Sequence, residues 1–181
     1  SASQFRAPGP YALTDPRYAT DFNETRDLGG VNSTLRTAEQ TTAARFQTEA
    51  PNVFGPRNLA QFAHGNPGSR TLMQDAHLSA MLWVALSDAV VTCWDSKFHH
   101  YAWRPQSAIA MADTDGNNDT VADASWTPLG PVPPHPEYPA AHTCISSAVA
   151  ETLAGVLGTR KVSFTFDAQT SDVLLYVEEV K

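Results

Sequence analysis

Apolar residues recur at helical spacing along most of the chain, and the pattern predicts a mainly helical protein. Asp15 followed by Pro16 reads as a helix start. An Asp side chain accepts from otherwise unpartnered N–H groups, and proline in a first turn lacks an N–H that would have no partner there. That segment stops at Gly29–Gly30. Leu35, Ala38, Thr42 and Phe46 fall on one face of a second helix, Ser33 to about Thr48, with Pro51 beyond it. From Ser69 to about Trp94 the apolar side chains (Leu72, Met73, Met81, Leu82, Trp83, Val84, Leu86, Val90, Val91, Trp94) point nearly all round. This is the pattern of a helix buried at the centre of a bundle. Pro105 opens a short helix to about Ala112, and Pro139 opens one that runs to Leu157 and stops at Gly158. Between them, Pro128 to Pro139 is too proline-rich for a helix or a central strand. Val162 to Phe166 alternates weakly as a strand or extended link, and Ser171 to Lys181 reads as a final partial helix. The expected fold class is all-α: one incomplete helical bundle over residues 1–181 with long loops on one side. Its N-terminal helices would lie in residues 1–68 and its chemistry in residues 69–158.

Charge narrows the function classes. Twelve Lys+Arg against 19 Asp+Glu give a net charge of −7, and 42% apolar residues suffice for a core. No basic cluster exists, so nucleic acid is not an expected partner. The apolar stretch from Ala76 to Trp94 is interrupted by Ser79, Ser87 and Asp88, which argues against a membrane span. A basic-then-apolar start is lacking, so the chain reads as mature or trimmed. Two cysteines, Cys93 and Cys144, read first as buried thiols, with a bridge between their helices as the alternative.

Two stretches carry candidate chemistry. Lys97 and Arg104 flank one helix break, where a point charge and a planar fork could clamp a tetrahedral oxyanion. In His135–Pro136–Glu137–Tyr138–Pro139–Ala140–Ala141–His142, a helix beginning near Pro139 would aim the N–H groups from Ala140 to His142 at an anion. His142 in that turn could act as acid or base.

The combination resembles the type 2 phosphatidic acid phosphatase superfamily, which includes vanadium-dependent haloperoxidases and soluble bacterial acid phosphatases. Lys97, six residues, then Arg104–Pro105 matches its first motif, and Pro139–Ala140–Ala141–His142 is a variant of its Pro-Ser-Gly-His motif. The neighbouring text, together with Arg36–Thr37–Ala38–Glu39–Gln40–Thr41, is most similar to the soluble haloperoxidase-related branch.

The resemblance implies a pocket for vanadate or phosphate. Lys97, Arg104, Ala140 and Ala141 would hold its oxygens, and His142 would be the catalytic acid–base group. With vanadate as cofactor the reaction is oxidation of a halide by hydrogen peroxide. Without a cofactor it is phosphomonoester hydrolysis. Ala140 replaces a serine of the family's motif and removes one hydrogen bond. The third motif, an Arg and then the His that bonds vanadium, does not follow His142, so the metal-ligating His is expected beyond Lys181. The competing expectation is a non-catalytic secreted or storage-type fragment that keeps half an anion site. Trp94 resembles a residue near the halide in chloroperoxidases, and His135 one found in bromoperoxidases, so the halide stays open.

Other signals are weaker. Asp113 to Asp119 with Asp123 has the oxygen spacing of a calcium loop but lacks its closing Glu, and His99–His100 lacks a third zinc ligand. Asn23, Asn32 and Asn118 head glycosylation triplets, consistent with a secreted or extracytoplasmic protein.

Overall fold

The computed structural model describes residues 2–50, 53, 58, 70–168 and 171–179. Residue contacts group the chain into two compact units, Ser1–Ala43 with Asp95–Pro139, and Ala44–Trp94 with Ala140–Lys181. The expected all-α class holds, with a β-hairpin added to it.

In the first unit, helix α1 spans Pro16–Gly29. The Asp15 carboxylate caps it by accepting from the Arg17 N–H at 2.9 Å. The apolar face of α1 buries Ala19 and Phe22. Phe22 clusters with Ala108 and Ile109 of the short helix that Pro105 opens, and with Ala112 just beyond it. Helix α2, Ala38–Phe46, starts four to five residues later than its apolar spacing suggests. The reason is a capping box: the Gln40 N–H donates to Thr37 Oγ1 at 3.1 Å, and the Thr37 N–H donates to Gln40 Oε1 at 2.9 Å. Ser33 instead caps a turn, accepting from the N–H groups of Leu35 and Arg36.

The proline-rich stretch is tethered at its start. The Val31 N–H donates to the Thr127 carbonyl at 2.8 Å, and the Leu129 N–H donates to the Gly29 carbonyl at 2.9 Å. Trp126 lies over the two glycines, its indole N–H donating to the Arg26 carbonyl at 2.9 Å. A Cβ at Gly30 would stand 3.0 Å from the Trp126 indole nitrogen. Gly30→Val is therefore expected to lower stability by about 1–3 kcal/mol through overpacking. A denaturation midpoint equal to that of the parent chain would show that Trp126 gives way freely.

The second unit is built on helix α3, Leu72–His100, whose residues up to Trp94 belong to it. Leu78 and Leu82 of α3 pack with Leu153, Val162 and Phe164. After the short helix α4, Pro105–Ala110, the chain supplies Leu153 from helix α5, Ala141–Leu157. Gly158 ends α5 in the left-handed conformation, φ 67°. Val162 and Phe164 come from strand β1, Lys161–Ala168, which pairs antiparallel with β2, Ser171–Glu179.

Three expectations change. Ser171 onward is a strand, not a final partial helix: its backbone bonds to β1 in register, Phe164 opposite Val177 and Phe166 opposite Leu175. A paired neighbour decides the state of a short apolar run whose periodicity is ambiguous. Nor is α3 buried all round. Leu72, Met73, Met81, Trp83, Val84 and Val91 are exposed, and α5 and β1 cover only the Leu78–Leu82 side. By length and composition alone, Leu72–Ala110 also passes as a membrane-crossing helix, with a mean hydropathy of 1.4 over its most apolar window. Finally, Cys93 and Cys144 are not two buried thiols but a disulfide joining α3 to α5, with Cα atoms 6.2 Å apart.

Candidate functional site

The first unit gathers the two motif cations. Helix α3 ends because Tyr101 takes a left-handed conformation, φ 51°, after its N–H has donated to the Lys97 carbonyl at 2.8 Å. The chain then runs extended to Arg104, the N-cap of α4 at φ −79° and ψ 153°, as a residue before proline prefers. This break lets both cations bind the same short segment, residues 135–137. Lys97 is 1% exposed, and its Nζ donates to the carbonyls of Pro136 and Glu137, each at 2.8 Å. Arg104 donates from Nε to the His135 carbonyl at 2.7 Å, and from Nη1 to Glu137 Oε2 at 2.7 Å. Its Nη2 lies 2.8 Å from His135 Nδ1. Three of the five guanidinium donors are thus engaged. The Glu137 N–H donates to the Ala102 carbonyl at 3.0 Å and fastens the segment from the other side.

The electrostatics follow from this packing. Burial pushes the Lys97 ammonium down to about 8; the Glu137 charge opposes that, and the Arg104 charge adds to it. Burial also lowers the His135 pKa, the neighbouring Pro136 carbonyl opposes this, and the charges of Arg104 and Lys97 lower it further. His135 Nδ1 is also 3.2 Å from the Pro136 carbonyl, a contact in which it would have to donate. The shorter contact decides: Arg104 is always a donor, so Nδ1 accepts from it and the ring is neutral with its proton on Nε2. Glu137 had no role in the sequence reading. Its carboxylate is the negative partner of Arg104, and its place beside His135 was the available signal.

Of the second motif, Pro139 is in the first unit and Ala140, Ala141 and His142 are in the other. Ala140 is the N-cap of α5, at φ −66° and ψ 120°, and no side chain caps the helix. The N–H groups of its first turn therefore keep their pull on negative charge. Pro139 stands before the cap, not in the first turn as expected, after a cis bond from Tyr138. His142 is exposed, and its Nε2 donates to the Glu49 carbonyl at 3.2 Å, which leaves Nδ1 as the acceptor. Trp94, half-buried, is in this unit too, beside the Cys93 disulfide partner. The structure thus brings Lys97, Arg104 and His135 together around Glu137, while Ala140, Ala141, His142 and Trp94 fall in the second unit.

Residues 77–179, more than half of the chain, match the family described as the VCPO second helical-bundle domain. The chain belongs to that family. The match supports a relation to the vanadium haloperoxidases, and both motifs of this VCPO-type domain lie inside the matched span. A comparison with curated proteins found no match.

The remaining candidates are engaged in local structure. Asp115 accepts from the Asn117 N–H and the Thr120 hydroxyl, each at 2.7 Å, and Asp123 accepts from the Ser125 N–H at 2.9 Å. His100 Nε2 donates to the Ala7 carbonyl at 2.8 Å, which takes that nitrogen away from metal binding. The Asn23 side-chain amide donates to the Asp119 carbonyl at 2.9 Å, whereas Asn32 and Asn118 are exposed.

Proposed function

We propose that the chain carries the oxyanion-holding part of a vanadium-dependent haloperoxidase of the type 2 phosphatidic acid phosphatase superfamily. The observation that supports this most is the convergence of the Lys97 ammonium and the Arg104 guanidinium on one segment inside a VCPO-type domain. An ammonium and a guanidinium held on one segment are donors suited to an oxyanion. The residues therefore fit vanadate. Bound vanadate supplies the activation of hydrogen peroxide for oxidation of a halide.

Lys97 and Arg104 supply the positive charge that an oxyanion needs. In the second unit, the Ala140–Ala141 backbone at the start of α5 offers neutral donors of its own. Nδ1 of His142 holds or accepts a proton, its tautomer set by the Glu49 carbonyl. Trp94 in the second unit and His135 in the first are the two residues that the resemblance links to the halide. The Cys93–Cys144 bridge favours an oxidising compartment, which supports a secreted or extracytoplasmic protein glycosylated at Asn32 or Asn118.

One observation favours the competing reading of a non-catalytic chain: Glu137 already supplies Arg104 with a carboxylate. Titration with vanadate and with phosphate separates the haloperoxidase, phosphatase and non-catalytic readings. A vanadate preference supports the haloperoxidase reading, equal binding supports the phosphatase reading, and no binding of either removes both.

Lys97 also fixes a pH dependence. Sulfate does not titrate between pH 6 and 10, so a change in its affinity across that range reports the protein. Because the folded pKa is about 8 instead of 10.5, the ammonium is lost as pH rises through about 8. Sulfate affinity is expected to fall from that point upward, in calorimetric titrations with Arg104 still charged. A flat profile to pH 10 would remove Lys97 from the anion site. Stability runs the other way: between the two pKa values the unfolded chain holds more protons on this residue, so its contribution to stability rises with pH there.

A further inference from the structure

A separate cleft of about 1040 Å³ lies wholly in the second unit, between the first half of α3, the end of α5 and the start of β1. Its walls divide by chemistry. Met73 and Met81 present apolar, adaptable side chains, while Arg70, His77 and Lys161 contribute cationic or titratable groups. Among the described residues no Asp or Glu lines it, in a chain whose net charge is −7. Arg70 is paired with Asp75 at 2.9 Å, and Lys161 has Glu179 as its cross-strand neighbour.

Gly155 is the second observation. It lies in the last turn of α5, lines the cleft, and a Cβ built on it would meet nothing within 4 Å. Glycine within a helix is less stable than alanine by about 1 kcal/mol. Among the described residues no close approach requires it here, and its bareness provides room.

We propose that this cleft binds a small organic anion with an apolar body, such as a medium-chain carboxylate. Lys161 and the Arg70 side supply the counter-charge, and the body lies along Met73, Met81 and the bare surface of Gly155. The size suits such a ligand, since small-molecule sites run to about 1,000 Å³ and bury most of the ligand. Opposite charge at one wall and apolar area at the other select an amphiphile over a metal ion or a sugar.

The test is calorimetric titration of the 181-residue chain with decanoate below its micelle concentration, beside the same titration with decyltrimethylammonium. Decanoate is expected to bind saturably with one site, and the cationic amphiphile not at all. Lys161→Gln is expected to weaken decanoate at least tenfold. Gly155→Leu narrows the cleft from a position where a Cβ meets nothing within 4 Å, and is expected to weaken decanoate at least tenfold with the circular dichroism of the parent chain. Equal binding of the two amphiphiles, or unchanged decanoate affinity in a folded Gly155→Leu chain, overturns the proposal.

Discussion

Arg104→Ala is expected to weaken vanadate binding about a hundredfold, measured by calorimetry or by the vanadium-51 resonance of the bound anion. A hydrogen bond to a charged group contributes about 1.5–3 kcal/mol, and the fork adds directional specificity that no other side chain here can supply. A second effect acts in the same direction. Removing the guanidinium leaves the Glu137 carboxylate without its ion pair, 2.7 Å away in the parent chain, so a like charge then faces the incoming anion. Arg104→Lys restores the charge without the fork, and should recover only part of the loss. His142→Ala is the contrast: its proposed task is proton transfer, so vanadate affinity should change by less than about threefold while turnover of an active enzyme falls. Ala140→Ser should tighten the anion by one added donor. If Arg104→Ala and His142→Ala had equal, small effects on binding, the motifs would mark ancestry and no anion site.

Breaking the Cys93–Cys144 bridge is expected to lower the unfolding free energy by about 4 kcal/mol, the chain-entropy figure for a loop of 51 residues. The bridge joins two helices that already share the Leu78–Leu153 core, so it fixes a contact that the native fold makes anyway. Its main action is therefore on the unfolded chain. Urea unfolding of Cys93→Ala with Cys144→Ala, compared with the oxidised parent, measures the loss. Coincident midpoints would show that the bridge constrains nothing the unfolded chain would otherwise explore.

What the sequence disclosed is what local chemistry decides. Asp15–Pro16 and the glycines after it delimit α1, and the Gly158 stop delimits α5, because caps and left-handed positions are set by one or two residues. The seven-residue step from Lys97 to Arg104 was legible for the same reason: a helix end, a break and Pro105 all fall within it.

The misreadings share another cause: each depended on a partner distant in sequence. The run from Val173 to Val177 carries no clear period, and only β1 makes it a strand. Apolar residues around α3 say that they favour leaving water, not which of them α5 and β1 will cover. The cysteines are 51 residues apart, a separation that says nothing of their distance in space. Glu137 sits one residue from Pro136 and two from His135, but its role needed Arg104 to arrive from 33 residues away.

The enclosure of Lys97 has a use beyond charge. The chain contains three lysines, Lys97, Lys161 and Lys181, and the first is 1% exposed beneath the carbonyls of residues 136 and 137. With a pKa of about 8, a good share of its amine is unprotonated in mildly alkaline solution and chemically nucleophilic. An acylating reagent can meet that amine only after the 136–137 backbone has lifted away. The slowest-labelled lysine thus becomes a clock for the opening of its own cover, read by peptide mass, and any anion that holds the segment shut would slow it.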